Sequence, residues 1–190
     1  MNKVIGLLKM LEDTTKALGT TSHNGSIVEL LDRANKLLKH HAVLCGGLAT
    51  NYYAKPRMTT DVDFCLLSFN VYGVEKILIN NGFTKKELFD YKKGNVTTYV
   101  HKFVDDKTGL ELDLISYDND NLNKLLSKTA HDNMLSIEGI IITKIISSRY
   151  KDLGDIESII EYGTKFDKDL IKSTIVDLGL MSKWPSDLLD

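Results

Sequence analysis

Several things are scarce in this chain, and each shortage removes a class of function. It has 2 cysteines in 190 residues, too few for a fold stapled by disulfides, and its cysteines and histidines lack the spacing of a zinc site. Cys45 and Cys65 both fall in apolar, strand-like runs and read as small buried residues kept reduced. No stretch approaches the roughly 20 apolar residues of a membrane span, so no membrane partner is expected. Lys9, Glu12 and Asp13 break up the apolar residues near the N-terminus, which argues against a signal peptide and for a cytoplasmic protein. The net charge is only −2. No global field draws the chain to nucleic acid, and binding there would need a local basic patch. Internal repeats and low-complexity segments are also lacking. The 43% apolar and 26% charged content is that of a soluble globular chain, long enough for one domain with a well-buried core.

Periodicity divides the chain into elements. Val4, Leu7, Leu8, Leu11 and Leu18 repeat at helical spacing, with Gly19 as a stop. Residues 20–25 read as a loop. Ser26 and Glu29 then suggest a capping box for a second helix, striped by Ile27, Leu30, Leu31, Ala34, Leu37 and Leu38. Residues 41–45 form a short apolar strand ended by Gly46-Gly47. A helix is expected over 48–54, closed by Pro56. A second strand covers 62–67. Val74, Ile77 and Leu78 mark a helix ended by Asn81-Gly82. Runs at 83–89, 96–104 and 110–116 are separated by turn-rich breaks, which predicts an antiparallel meander. From Asn119 the pattern is helical, with main pieces at 135–150, 152–162 and 167–178. The expected fold class is α+β: a mixed sheet with helices on one side, then a helical C-terminal part.

The stretch Arg57-Met58-Thr59-Thr60-Asp61-Val62-Asp63-Phe64 carries the chemistry. Alternate strand residues share a face, so Asp61 and Asp63 point the same way, about 6.5–7 Å apart along the strand. A third strand acid, Asp113, lies in Leu110-Glu111-Leu112-Asp113-Leu114-Ile115. If the two strands are neighbours, three carboxylates converge and raise one another's pKa unless a cation lies between them. Two Mg²⁺ ions about 3.5–4 Å apart would relieve the repulsion and suit in-line phosphoryl displacement. Alternatively, Asp61 is a turn residue and Asp63 lies on a solvated face. Glu111 shares Asp113's face and is a second candidate for the third ligand. Asp113 is preferred because the apolar run continues past it.

Other positions carry competing readings. Gly46-Gly47, between a strand and a helix, lets backbone N–H groups approach phosphate, or simply makes a tight turn. Lys144 lies on the apolar stripe of Ile137, Ile140, Ile141, Ile145 and Ile146. It needs an acid or a triphosphate as partner, or it snorkels to the surface. Arg149, Lys151, Asp152 and Asp155 gather at a helix junction, where the acids suit a helix N-terminus and Arg149 can be solvated. Lys85, Lys86, Tyr91, Lys92, Lys93, Tyr99 and Lys102 in the meander could contact nucleic acid. The interspersed Glu87, Asp90, Asp105 and Asp106 favour a solvated face. His101 reads as a satisfied sheet residue.

Together, Gly46-Gly47-Leu48-Ala49, Arg57-x-Thr59-Thr60-Asp61-x-Asp63 and Asp113 resemble the DNA polymerase β-like nucleotidyltransferase superfamily. The run Lys144-x4-Arg149-x-Lys151-Asp152-x2-Asp155-Ile156 is similar to minimal nucleotidyltransferases of the AbiEii type, the toxins of type IV toxin–antitoxin systems. The resemblance covers roughly residues 26–163. It implies a nucleotidyltransferase core over 1–118, with a helical region over 119–190 packed on it. It also implies two Mg²⁺ ions and a nucleoside triphosphate donor such as ATP. The acceptor would be an RNA 3′ end, a protein or a small molecule such as an antibiotic, and a cognate antitoxin is a possible partner. By the same resemblance Asp61 and Asp63 bind both metals, Asp113 binds one and orients the acceptor hydroxyl, and Gly46, Gly47 and Lys144 hold phosphate. Thr60, Lys151 and Asp152 fall in its nucleotide-binding set, and Asp155 near the site. A catalytically silent binding module of the same fold is the rival reading.

Overall fold

A computed structural model describes residues 3–18, 23–67 and 70–183. Two helices come first, α1 (Lys3–Leu18) and α2 (His23–Leu38). The expected stop at Gly19 and the first part of the expected loop lie outside the described residues. The rest of that loop is corrected, because α2 begins at His23 and takes in Ser26 well inside the helix. The strand β1 (Ala42–Cys45) runs directly into the short α3 (Gly46–Thr50). A helix expected over 48–54 thus starts earlier and ends earlier. Then come β2 (Asp61–Leu66), α4 (Val71–Asn80), β3 (Phe83–Lys93), β4 (Val96–Asp105) and β5 (Glu111–Tyr117). The helices α5 (Asp120–Thr129), α6 (Ile137–Ser147), α7 (Tyr150–Glu161) and α8 (Lys168–Asp177) follow.

The five strands form one mixed sheet in the order β1-β2-β5-β4-β3. The meander β3-β4-β5 is antiparallel, β1 is antiparallel to β2, and β2 runs parallel to β5. The parallel pair makes the sheet mixed, and it sets two acid-bearing strands side by side. The sheet's edges are blunted in different ways. The outer side of β1 is covered by a loop, with Leu44 N–H donating to the Asn133 carbonyl at 2.8 Å and Leu135 N–H to the Leu44 carbonyl at 3.0 Å. β3 is exposed along most of its length, rich in lysine and broken by a bulge between Lys85 and Glu87.

One face of the sheet is closed by α2 and α4. Leu30, Leu31, Ala34 and Leu38 of α2 and Val74 and Leu78 of α4 are buried with Val62, Phe64, Phe103, Leu112 and Leu114. Polar ties pin the same face. Arg33 reaches Asp105, and His101 Nδ1 lies 2.6 Å from Glu75. The opposite face carries the acids and is roofed at one end by α6 and α7. Eight of the eleven residues of α6 are buried, as its isoleucine run requires, so this helix is a core element rather than an amphipathic cover. Ser136 caps it by accepting from Gly139 N–H at 3.1 Å. Buried residues of α6 and α8 join those of the sheet and of α1 and α2 in one cluster. Among the described residues no helix is long and apolar enough to cross a membrane.

Candidate active site

Register decides which side chains meet. Asp63 stands level with Asp113 across the parallel β2-β5 pair, and Asp61 with Glu111. Cys45 is level with Asp63 on one side, and Lys102 with Asp113 on the other. Level residues share a face, so a row of polar groups crosses the sheet. Oxygens from Asp61, Asp63 and Asp113 lie within 4.8 Å of one another. Glu111 leans outward, its side chain 57% exposed, toward Lys102 Nζ at 3.3 Å.

Crowding three acids has an electrostatic effect. Loss of water around Asp63, with the charges of Asp61 and then Asp113 added, pushes its pKa up to about 7. Burial also raises Asp113, although Lys102 pulls the other way through bonds of 3.1 Å to each carboxylate oxygen. Hard oxygen donors at this spacing, one of them forced toward its neutral form, suit Mg²⁺ or a similar divalent cation. Asp61 is held separately, accepting from the Thr59 hydroxyl at 2.7 Å. Thr60, next along, is exposed.

Gly46 has φ +63, and a Cβ there would fall 1.8 Å from Asp63 Oδ2. Both the left-handed backbone and the missing side chain are therefore needed for Asp63 to sit against the start of α3. Gly47 N–H donates to Asp63 and so partly offsets the rise in its pKa. The turn proposed for phosphate is thus in direct touch with the acid cluster.

A cavity of about 380 Å³ opens beside the acids. Its sheet wall holds Phe89, Tyr91, Val100, Ile115 and Tyr117, and its helical wall Thr143, Lys144, Ser147, Arg149 and Asp152. Lys144 is buried, with Nζ 2.5 Å from Asp155 and 3.5 Å from Asp152. It bridges acids of α7 and also faces the cavity, so the salt-bridge and site readings of this residue coexist. Burial pushes Asp155 and Asp152 up, yet both stay below the usual carboxylate range. Arg57 and Lys144 hydrogen bonds hold Asp155 down, and Arg149 and Ser147 bonds hold Asp152 down. Asp152 also accepts from Arg149 N–H at 3.2 Å at the start of α7, the N-terminal position its sequence context suggested.

The structure gathers Gly46, Asp63, Asp113, Lys144 and Asp152 around the cavity. Asp61 joins through the acid cluster. Lys151 and Thr60 are exposed and do not line it. Sequence reasoning placed Tyr91 and Lys93 on a solvated face, whereas both line the cavity with Phe89. The signal lay in the alternation 89, 91, 93. These residues stand level with Val100, Thr98 and Val96, which share Asp113's face of the sheet. Arg149 remains 61% exposed, as a solvated residue would, yet it pairs with Asp152 at 2.7 Å and reaches the cavity rim.

No protein-family model matches the chain, and no curated protein does. Among solved structures it is similar to a proposed nucleotidyltransferase of Thermotoga maritima, with 16% identity, 71% of this chain and 92% of that one covered, and a TM-score of 0.45. It is also similar to a proposed nucleotidyltransferase of Helicobacter pylori, at 24% identity, with coverage of 85% and 77% and a TM-score of 0.45. A third similarity is to the Cid1 poly(U) polymerase, at 16% identity and a TM-score of 0.34, over 73% of this chain and 44% of that one. At these scores the likeness is loose.

Proposed function

We propose that this chain is a divalent-metal-dependent nucleotidyltransferase. It moves a nucleotidyl group from a nucleoside triphosphate to a hydroxyl acceptor. The bond from acceptor oxygen to α-phosphorus forms as the bond to pyrophosphate breaks, and the hydroxyl proton passes to solvent. The observation that carries this reading is the convergence of Asp61, Asp63 and Asp113 within 4.8 Å beside a nucleotide-sized cavity.

Asp61 and Asp63 would hold two Mg²⁺ ions and Asp113 one of them. Bound there, Mg²⁺ supplies charge neutralisation for the leaving pyrophosphate and lowers the pKa of the acceptor hydroxyl. The chain's own groups do the positioning. Gly46 and Gly47 bring the start of α3 up to the phosphates, with Gly47 N–H already engaged by Asp63. Lys144 and Arg149 present cations from the opposite wall, against the negative charge of the triphosphate. Phe89, Tyr91, Val100 and Ile115 offer an apolar surface to base and sugar. Asp113 orients the acceptor hydroxyl. Asp152 belongs to the nucleotide end of this reading from the cavity wall, and Lys151 and Thr60 at longer range.

Finer assignments follow from the same reading. The run from Lys144 to Asp155 resembles that of the AbiEii-type toxins, and on that resemblance the reading extends to a catalytic core over 1–118, a helical region over 119–190 and a cognate antitoxin as partner. The acceptor is an RNA 3′ end, a protein or a small molecule. The test is a panel of labelled triphosphates with Mg²⁺ against total RNA, lysate protein and aminoglycosides, with pyrophosphate release measured alongside. Asp61→Ala with Asp63→Ala should abolish transfer and leave the fold intact. Labelling at the wild-type rate by that double variant would show the assignment to be wrong. Binding of triphosphate without pyrophosphate release would make the chain a binding module.

A further inference from the structure

Three acids read as a divalent-ion site leave one neighbour unexplained. Lys102 stands level with Asp113 on the adjoining strand. Its Nζ is 3.1 Å from both Asp113 oxygens and 3.3 Å from Glu111 Oε2, and its side chain is only 26% exposed. An ammonium with three donors can hold one carboxylate while touching a second. It cannot keep both oxygens of Asp113 while a divalent cation uses one, because two cations at that distance repel. Glu111 lies two residues before Asp113 on the same strand face, and its carboxylate is more open to solvent.

We propose that Lys102 is the resident counter-cation of Asp113 and passes to Glu111 when a divalent ion takes Asp113. This rests on the reading of Asp61, Asp63 and Asp113 as a metal site. Lys102 is then a positioning residue. It balances the acid cluster in the ion-free chain, and its competition sets how tightly the last carboxylate yields to an ion. Glu111 is the carboxylate that receives the displaced lysine, not a third ligand. Its place two residues before Asp113 follows from the same alternation that puts both on one face.

The test uses the full chain without nucleotide and Mn²⁺ as the probe, read by calorimetry and by the electron paramagnetic resonance signal of free Mn²⁺. K102M removes the competitor and should tighten Mn²⁺ binding about tenfold. K102R keeps the charge but grips a carboxylate with a two-pronged fork, and should weaken binding several-fold. E111Q should weaken binding in the wild-type chain and change little in the K102M background, because only the lysine needs the vacated partner. If K102M is no tighter, or K102R binds as the wild type does, Lys102 acts through distant charge at most and the proposal fails, while the metal site stands. Equal weakening by E111Q in both backgrounds has the same meaning. A wild-type chain that takes up no Mn²⁺ overturns the metal reading and this proposal together. Melting curves accompany each variant, and if K102M does not fold, K102R against wild type decides.

Discussion

The guanidinium of Arg57 grips both oxygens of Asp155, Nε to Oδ1 at 2.6 Å and Nη2 to Oδ2 at 2.7 Å. Lys144 Nζ meets the same carboxylate from α6 at 2.5 Å. One acid of α7 thus ties the segment leading into the acid strand to the wall of the cavity opposite it. The Arg57–Asp155 pair helps to set the distance between carboxylates and cations, and neither residue lines the cavity.

The two ends of that tie should differ in worth. Asp155→Ala leaves the buried Lys144 with Asp152 at 3.5 Å, and losing one partner of a buried ion pair costs about 3 kcal/mol. Arg57→Met removes a side chain that is 38% exposed, where solvent screens the pair, so about 1 kcal/mol is expected. Urea unfolding of both variants measures the difference. Equal losses would mean that Lys144 does not depend on Asp155.

Stability of the ion-free chain should fall as pH rises through neutrality. Asp63 is raised to about 7, so the folded chain binds its proton more tightly than the unfolded chain does. That stabilisation is complete below the unfolded pKa near 4, and is lost as pH climbs through about 7. Asp152 and Asp155 are held low and act oppositely. Their stabilisation is present above the unfolded pKa and is lost as pH falls below about 4. A maximum at about pH 4 results, with a decline toward neutral pH on the order of 4 kcal/mol over about three pH units. Asp63→Asn, or millimolar Mg²⁺, should flatten the neutral side. Melting temperatures across pH 4–9 with chelator and with Mg²⁺ test this, and a decline that persists in Asp63→Asn would locate it elsewhere.

Gly46→Ala should disturb the acids more than the fold. A Cβ 1.8 Å from Asp63 Oδ2 forces that carboxylate aside, and φ +63 adds backbone strain of about 1–2 kcal/mol. At Gly47 a Cβ would meet Thr59 Oγ1 at 3.0 Å, a contact that a small shift relieves. The expected result is loss of Mn²⁺ binding and of transfer in Gly46→Ala, with Gly47→Ala much closer to wild type. Calorimetry and pyrophosphate release distinguish them. Retained Mn²⁺ binding in Gly46→Ala would show that Asp63 has another workable position.

What could be read from the sequence follows local rules. Asp61 and Asp63 share a face because strands alternate, and the meander followed from turn residues at 92–95 and 105–109. The isoleucine run of α6 announced its own burial. Pairings set by distant register could not be read this way. Nothing near Arg57 points to Asp155, 98 residues away, and nothing near Lys102 shows that β4 brings it level with Asp113. Two helix boundaries differ from the local signal. Helix α2 runs through the Ser26 capping box to His23. Helix α3 stops at Thr50, and Asn51 Nδ2 then binds the Arg57 carbonyl at 2.8 Å to shape the approach to β2. Tyr91 and Lys93 were misplaced because β3 reads as a polar edge strand, and its last turn of alternation meets a cavity rather than water.

Phe89 offers a way to separate nucleotide binding from chemistry. It lies on an edge strand, is 38% exposed, and still lines the cavity on the acid face of the sheet. Truncating it to Ala removes an apolar contact from the proposed base-binding wall without opening the core, so the fold should lose less than about 1 kcal/mol. An interaction made equally in the ground state and the transition state appears in KM alone. Phe89→Ala should therefore raise KM for the triphosphate about tenfold with kcat unchanged, and leave Mn²⁺ binding as in the wild type. Steady-state pyrophosphate release against triphosphate concentration gives both constants. A fall in kcat at unchanged KM would move Phe89 from the base to the acceptor side of the reaction, and no change in either would place the nucleobase away from β3.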